Sequence, residues 1–230
     1  MTVIAFANSK GGVGKSTLCA LIGSELADQG SNVLILDADG QQSCSQWAER
    51  CRSNGTLPAT LSVQPIATME QLSTRLQSLA DADVVLIDVQ GSMNDLLTAA
   101  VVASDLTLVP TKATVMEMVE AVKLFEWARN LRRAPLRLVL NRVEGIDRTT
   151  IAFLDAITLI RTNRLPCLNT LVQSRKVYEQ FSKDAGTMAL IGADPAKQEQ
   201  VRKARKNIAD LIEDIILAIN DLNPELEKSA

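Results

Sequence analysis

The sequence predicts an α/β fold in which a mostly parallel β-sheet is covered by helices on both faces. Short apolar runs alternate with longer amphipathic stretches along the chain. The apolar runs are hydrophobic on both sides, which is typical of strands buried between two helical layers. Several of these runs end in a polar residue, and ligands of such sheets bind beyond the carboxyl ends of the strands.

The composition favours one globular domain. The chain has 230 residues, of which 47% are hydrophobic and 22% charged, so it is long enough to bury a sizeable core. Glycine and proline are scattered, and no linker separates two halves. We expect a single domain over 1–222, with a C-terminal helix over about 196–222 and a short acidic tail over 223–230.

Each element follows from the local pattern, with aliphatic and β-branched runs predicting strands and longer amphipathic stretches predicting helices. The predicted strands are 2–7, 32–36, 61–66, 83–87, 106–109 and 136–140, with 167–171 as a candidate last strand. The predicted helices are 16–29, 43–52, 69–80, 93–103, 115–130, 149–160 and 196–222. The polar residues at strand ends are Asn8, Asp37, Asp88 and Asn141.

The residue types exclude several classes of site. Histidine is absent, which removes serine–histidine and cysteine–histidine catalysis and every histidine metal site. The four cysteines are scattered, as expected for buried thiols in a reducing cytosol. A net charge of −3 argues against a uniformly basic nucleic-acid surface. No apolar run approaches the roughly 20 residues that span a bilayer, and no signal peptide is recognisable, so we expect a cytoplasmic protein with no membrane contact.

The most informative segment lies between the first predicted strand and the first predicted helix. It reads Lys10-Gly11-Gly12-Val13-Gly14-Lys15-Ser16-Thr17. Glycines allow successive backbone N–H groups to wrap a phosphate, and the helix N-terminus adds positive potential. We expect Lys15 to reach the β- and γ-phosphates and the Ser16 hydroxyl to join a Mg²⁺ shell. Residues 9–16 fit the general phosphate-loop pattern, except that Ser9 stands where glycine is usual. A P-loop NTPase domain is therefore predicted.

With its extra lysine at Lys10, this segment resembles the deviant Walker A motif of the ParA/MinD ATPases. The resemblance implies that two chains close over two ATP molecules in a sandwich dimer. It also implies that Lys10 reaches the phosphates of the other chain, as an arginine finger does, while Lys15 acts within its own chain. Residues 10–17 are then all expected to contact ATP.

Two further strand ends extend the resemblance. Asp37 and Asp39 stand two residues apart after an apolar strand, where both carboxylates would face the γ-phosphate; one can orient water and the other can hold Mg²⁺ indirectly. The segment is similar to the family's D-x-D-P-Q motif, with Gly40 in place of proline. The resemblance assigns the attacking water to Asp39 and a supporting role, catalytic and toward Mg²⁺, to Asp37.

The strand that ends at Asp88 has a Walker B pattern, so Asp88 is expected to reach Mg²⁺ through water. Gly91 then keeps a backbone amide free to approach the γ-phosphate, while Gln90 departs from the prolines common in relatives. Asn141 stands where relatives carry a residue that reads the adenine edge. An ordinary turn residue is the alternative interpretation of Asn141.

A cluster of basic residues on the last predicted helix is the candidate DNA contact. Its members are Lys197, Arg202, Lys203, Arg205 and Lys206, with Arg175 and Lys176 as additional candidates. Glu199 is the one acid that the sequence places against them. The alternative interpretation is a solvated helix face whose charges pair with local acids.

Among the members of the superfamily, the chain is most similar to a small ParA of plasmid partition, without an N-terminal helix-turn-helix extension. The acidic tail disfavours the membrane cycling of MinD-like relatives. The resemblance implies an ATP-dependent DNA-segregation switch that binds nonspecific DNA as a dimer, rests on the nucleoid when ATP-bound, and hydrolyses ATP weakly until a small centromere-binding protein stimulates it. Two alternatives remain open: a positioning or DNA-transfer factor for another cargo, and a metabolic ATP-dependent ligase.

Overall fold

The structure is a computed structural model that describes residues 1–79, 81–91, 94–131, 135–183 and 186–222. It contains one six-stranded sheet in which every pair of neighbours is parallel. The strands are β1 Thr2–Phe6, β2 Val33–Ala38, β3 Leu61–Pro65, β4 Val84–Val89, β5 Leu106–Thr111 and β6 Leu136–Leu140. The predicted α/β class and parallel sheet are confirmed.

The strand order is β3-β2-β4-β1-β5-β6, so β1 lies inside the sheet between β4 and β5. The chain moves away from β1 on one side to build β2 to β4, and on the other side to build β5 and β6. The carboxyl end of β1 is therefore a topological switch point, where loops on the two sides diverge and leave a crevice. The phosphate loop begins at this crevice.

Helices cover both faces, as the doubly apolar strands require. They are α1 Lys15–Asp28, α2 Ser43–Ser53, α3 Met69–Leu76, α4 Asp95–Ala103, α5 Val115–Ala128, α6 Ile151–Thr162, α7 Lys176–Lys183, α8 Met188–Ile191 and α9 Gln198–Leu222. A short 3₁₀ helix, Gly145–Thr149, precedes α6. Side chains of α1, α2 and α7 to α9 share one hydrophobic cluster with the sheet, and those of α3 to α6 share the other.

Alternation along β1 shows how one strand serves both layers. Ile4 and Phe6 belong to the cluster under α1, whereas Val3, Ala5 and Ala7 belong to the cluster under α4 and α5. Successive side chains of a strand point to opposite faces, so a fully apolar strand supplies two cores at once.

The candidate strand over 167–171 is wrong. This segment makes an isolated bridge between Cys167 and Leu138, and no ladder follows. Backbone N–H groups of Leu168 and Val172 donate to carbonyls of β6, both at 2.9 Å. Between them, the N–H of Thr170, which a regular ladder would also pair with β6, donates instead to Asp214 Oδ2 of α9 at 2.7 Å. The segment therefore follows the edge of β6 with interrupted backbone pairing and does not form a regular seventh strand.

Most predicted helices are found within a few residues of their expected ends, but two short ones were missed. Nothing was predicted for α7 and α8, which lie between the sheet edge and α9. The helix predicted over 149–160 begins at Ile151, because the 3₁₀ helix occupies the residues before it. Ala80, Met93 and the acidic tail 223–230 lie outside the described residues. Within the described ranges, no helix combines the length and apolar character that a bilayer crossing requires.

Candidate nucleotide site

A cleft of about 620 Å³ opens at the carboxyl end of β1. The phosphate loop and the first turn of α1 form its floor. Its walls come from the segment after β2, from α2, from the residues that follow β4 and from the end of α7. Residues on those walls include Asp39, Trp47, Arg50, Gln90 and Phe181. The cleft therefore lies at the topological switch point, where the predicted site was expected.

Two glycines give the loop its shape. Gly12 and Gly14 have φ angles of +76° and +92°, in the left-handed region that side chains disfavour, and Gly14 is the N-cap residue of α1. Behind the loop, the buried Asn8 side chain fixes the chain. Its amide nitrogen donates to the Pro110 carbonyl at 2.7 Å, and its oxygen accepts the Lys10 N–H at 2.9 Å.

The two lysines of the loop are placed differently. Lys15 is 7% exposed, lines the cleft, and its ammonium lies 3.4 Å from the Lys10 carbonyl oxygen. Lys10 is partly exposed and is not among the described residues that line the cleft. Its charge lies close enough to Glu120 on α5 to contribute to lowering the pKa of that carboxyl, after the larger effect of a hydrogen bond from Lys123. Lys15 therefore lies in the cleft of its own chain, whereas Lys10 does not line it.

Gly91 packs directly on the loop backbone. A methyl group built at Gly91 would lie 2.1 Å from the Asn8 carbonyl oxygen and 2.8 Å from the backbone of Ser9. No side chain fits in this space, so Gly91 contacts the start of the phosphate loop through its main chain. This contact places the Gly91 backbone at the cleft, where a γ-phosphate contact was predicted.

The two strand-end carboxylates lie side by side. Asp37 and Asp88 are paired residues of neighbouring strands, and they are 1% and 0% exposed. Asp37 accepts the Ser45 N–H at 2.7 Å and the Asp39 N–H at 3.4 Å. Asp39 is partly exposed on the cleft wall and accepts the Gln41 N–H at 2.9 Å. Asp37 thus supports the loop that carries Asp39, while Asp39 faces the cleft.

Burial governs the protonation of these carboxyls. The pKa of Asp88 is raised to about 7. Loss of solvation is the main cause and the negative charge of Asp37 adds to it, whereas hydrogen bonding from Ser16 and Cys44 and the charge of Lys15 act in the opposite direction. Desolvation also raises the pKa of Asp37, while the hydrogen bonds from Ser45 oppose that rise. Two buried acids this close favour a bound cation.

The side chains present fit Mg²⁺. Within the described part of the chain, Asp88 Oδ1 is buried and has no hydrogen-bond partner, whereas Oδ2 accepts from the Cys44 thiol, with an S···O distance of 3.4 Å. The Ser16 side chain lies close enough to this carboxylate to help lower its pKa. Hydroxyl and carboxylate oxygens are the ligands that Mg²⁺ prefers, and Mg²⁺ commonly takes only one or two protein ligands and completes its shell with phosphate and water.

Asn141 contacts the loop and fixes its shape. Its amide nitrogen donates to the Val13 carbonyl at 2.8 Å, its oxygen accepts the Arg142 N–H at 2.9 Å, and the same amide fills the space beside Gly14. These contacts place Asn141 at the site but engage the polar atoms that adenine recognition would need. A role in reading the base stays a prediction.

The basic residues predicted to contact DNA lie away from the cleft walls, and acids face them. On α9, Arg202 and Lys203 pair with Glu199, and Lys206 pairs with Asp210. Just before α9, Lys197 lies 3.9 Å from Asp194. Arg205 forms a bidentate pair with Glu25 of α1, whose side chain is 6% exposed. The expectation that Glu199 alone opposes the cluster is therefore wrong, because acids from α1 and the segment before α9 also reach it.

Arg175 and Lys176 lie at the start of α7, near α9 but on another element. Arg175 lines a small pocket beside Asn141 and donates to Gln173, and Lys176 is exposed. The Tyr178 hydroxyl ties this helix to α9 by donating to the Ala204 carbonyl at 2.9 Å. The seven predicted DNA contacts therefore do not form one uninterrupted basic surface.

Comparison with known proteins gives the family. The family model described as VirC1 protein matches residues 1–228, which is nearly the whole chain. The chain belongs to the VirC1 family. Protein virC1 of Rhizobium radiobacter is 23% identical over 238 residues, covering 99% of this chain and all of that protein. Protein ParA of the same organism is 30% identical over 149 residues, 64% of this chain and 60% of that ParA, so its whole length is not matched.

The fold comparison agrees with the family. A variant of McdA from Cyanothece in complex with ATP superimposes with a TM-score of 0.73 at 16% identity, covering 94% of this chain and 96% of McdA. The resemblance to the ParA/MinD superfamily is confirmed, and this VirC1-family chain is a ParA-like P-loop NTPase.

Sequence reasoning missed several residues that build the site. In this VirC1-family chain, Cys44 and Ser45 contact the two buried carboxylates, and Trp47 and Arg50 wall the cleft. All four belong to α2, which begins four residues after Asp39. A short loop between a carboxylate motif and a helix was the available signal, because such a loop returns the first turn of the helix to the strand end.

Proposed function

We propose that the chain is an ATP-dependent switch for DNA partition. ATP binding closes two copies into a sandwich dimer, the dimer holds nonspecific DNA, and a small centromere-binding protein stimulates hydrolysis and release. The observation that carries this proposal is the different placement of the two loop lysines: Lys15 lines the cleft of its own chain, whereas Lys10 does not. A lysine of a phosphate loop that does not serve its own site is available to another.

The hydrolytic step follows from the placement of the side chains. Asp39 orients a water molecule that attacks the γ-phosphorus, the bond to the β-phosphate oxygen breaks, and ADP and phosphate leave. Lys15 counters the charge on the β- and γ-phosphates, and Lys10 of the partner subunit counters the charge that develops on the transferred group. Backbone N–H groups of residues 11–17 and of Gly91 hold the phosphates.

Ser16 and Asp88 would hold Mg²⁺, supported by Asp37, and the ion would supply positive charge that stabilises the phosphate oxygens. The unpartnered oxygen of Asp88 supports this assignment. Asn141 contributes by fixing the loop at Val13, whether or not it also contacts adenine.

For the DNA contact, we propose the exposed side chains of α9. Arg202, Lys203 and Lys206 are each more than half exposed, and surface pairs of this kind exchange readily for phosphate contacts because they are weak. Lys197, Lys176 and Arg175 would extend the contact. Arg205 is left out of it, because the buried Glu25 engages its guanidinium. The protein would then be cytoplasmic and associated with the nucleoid while ATP is bound.

A second candidate is a positioning or DNA-transfer factor for a cargo other than a plasmid centromere. A similarity to the maintenance of carboxysome distribution protein A of Gloeobacter kilaueensis favours it, at 28% identity over 179 residues, which cover 77% of this chain and 79% of that protein. The chemistry of the switch would be the same, and only the partner protein would differ. A metabolic ligase has no comparable support.

DNA retention tests the proposal. Wild-type protein is applied to nonspecific duplex DNA with ADP, or with ATP and Mg²⁺, at several salt concentrations. Retention that requires ATP and falls steeply with salt supports the switch. Lys15→Ala is the control, since it should remove both nucleotide binding and retention. Equal retention with ADP and ATP would contradict the proposal.

A further inference from the structure

Two features of Asp37 and Asp88 need an explanation: the burial of two acidic groups side by side, and the orientation of the Asp88 carboxylate. They are neighbouring residues on adjacent strands, both are buried, and the charge of Asp37 makes ionisation of Asp88 more costly. For a metal to find Asp88 Oδ1 in the correct place, something must fix the rotation of that carboxylate. Strand β4 fixes the backbone position of Asp88 but not the rotation of its side chain.

The first turn of α2 contacts both carboxylates. The backbone N–H of Ser45 donates to Asp37 Oδ2, and the thiol of the preceding residue, Cys44, lies 3.4 Å from Asp88 Oδ2. The same sulfur lies 3.5 Å from the Ser16 carbonyl oxygen. The Cys19 thiol also lies within hydrogen-bonding reach of Cys44. A thiol has one proton, and a carboxylate oxygen is a stronger acceptor than a carbonyl oxygen or a sulfur, so we assign this proton to Asp88.

We propose that Cys44 is a positioning residue for the metal site: its thiol holds Asp88 Oδ2 so that Oδ1 is presented to Mg²⁺ beside Ser16. This inference rests on the proposed function, since it names a residue that acts through Asp88 on the same site. The contact also joins three parts of the site, because α2, β4 and the first turn of α1 meet at one sulfur atom that is 1% exposed.

The chain supplies a matched control. Cys51 lies on the same helix, is also fully buried, and accepts hydrogen bonds from Thr56 at its carbonyl rather than donating to a strand-end carboxylate. A variant at Cys51 therefore reports what the loss of a buried α2 thiol does to packing, without changing the support of Asp88.

The experiment measures metal binding without turnover. Mn²⁺ is titrated into each protein with ADP present, and bound Mn²⁺ is measured by electron paramagnetic resonance, alongside thermal unfolding. Cys44→Ala and Cys44→Val, which cannot donate, should weaken Mn²⁺ binding about tenfold, as loss of an outer-shell partner does. Cys44→Ser should bind Mn²⁺ within about threefold of wild type, because its hydroxyl restores the donor. Cys51→Ala should match wild type in Mn²⁺ affinity.

Two results would overturn the inference. One is wild-type Mn²⁺ affinity in whichever of Cys44→Ala and Cys44→Val folds. The other is an equal loss in Cys51→Ala, which would assign the effect to packing. If wild-type protein binds neither ADP nor Mn²⁺, the proposed function itself fails, and that outcome is distinct from both.

Discussion

At the scale of single residues, the site depends on a few residues around the phosphate loop whose steric space and hydrogen bonds are closely defined. Gly91 leaves no space for a side chain against the loop, and Asn141 uses both ends of its amide on backbone groups. Asp88 keeps one buried oxygen without a partner. Each of these is a feature of the phosphate loop's surroundings rather than of the loop motif, and each can be changed singly.

Gly91→Ala should weaken nucleotide binding. The added methyl group must move the backbone at Asn8 and Ser9, and overpacking of this kind costs about 1–3 kcal/mol. The dissociation constant of a fluorescent ATP analogue should therefore rise about tenfold or more. Gly145→Ala, where nothing lies within 4 Å of the new methyl group, is the control. Unchanged affinity in Gly91→Ala would refute the main-chain contact.

The Asn141→Ala variant distinguishes two roles for Asn141: stabilising the phosphate loop and recognising the adenine base. Its loss leaves the Val13 carbonyl without a partner beside the loop, at a cost of about 1–2 kcal/mol. If Asn141 braces the loop, affinities for ATP and GTP should fall together, roughly tenfold, and their ratio should not change. Competition binding with the two nucleotides measures this. A selective loss of ATP affinity would instead show that Asn141 reads adenine.

At the scale of elements, the P-loop helix α1 is tied to the C-terminal helix α9 by a partly buried ion pair. Glu25 and Arg205 are 180 positions apart, and the guanidinium donates to both carboxylate oxygens. This pair turns one member of the basic cluster into a structural residue. The exposed pairs on the same helix have no such partner in the core.

Arg205→Ala should destabilise the fold far more than Arg202→Ala. Removing Arg205 leaves the buried Glu25 unpaired, at roughly 2–3 kcal/mol, somewhat below the loss for a fully buried pair because the arginine is 35% exposed. Arg202 belongs to an exposed pair, and its loss should cost below about 1 kcal/mol. Urea unfolding of the two variants measures the difference. Equal midpoints would mean that the pair with Glu25 adds no stability.

The local sequence pattern was sufficient to predict the features that depend only on residues close together in the sequence. The strands, the phosphate loop and the carboxylates at strand ends are each encoded in fewer than ten consecutive residues. The failures depend on distant residues: Asp214 of α9 accepts the Thr170 N–H and so interrupts pairing of the edge segment with β6, and Glu25 of α1 engages Arg205. Helix α7 was short enough to be overlooked, although its buried Val177, Tyr178 and Phe181 have helical spacing.

At the scale of the whole molecule, the account requires two copies. A chain with net charge −3 is a poor DNA ligand alone, and pairing brings two exposed basic faces into one assembly. ATP dependence of DNA binding then follows from ATP dependence of pairing. The requirement holds for partition and for the positioning of another cargo alike.

Charge reversal at Arg202, Lys203 and Lys206 should abolish ATP-dependent DNA retention and flatten its salt dependence, while nucleotide binding is retained. The three side chains are exposed, so folding should be unaffected. Charge reversal at Arg129 and Arg161, on the opposite helical layer, is the control. If the triple variant retains as much DNA as wild type, the charged face of α9 contacts only solvent and local acids, and the proposed DNA contact is wrong.

The central claim is that two chains share two ATP molecules, with each Lys10 serving the other site. Light scattering after size exclusion measures it directly, with ADP and with a slowly hydrolysed ATP analogue plus Mg²⁺. The account predicts the 24.9 kDa monomer with ADP and twice that mass with the analogue, and a Lys10→Ala variant that binds the analogue but does not form a stable dimer. Wild-type protein that binds the analogue and stays at the monomer mass would contradict it.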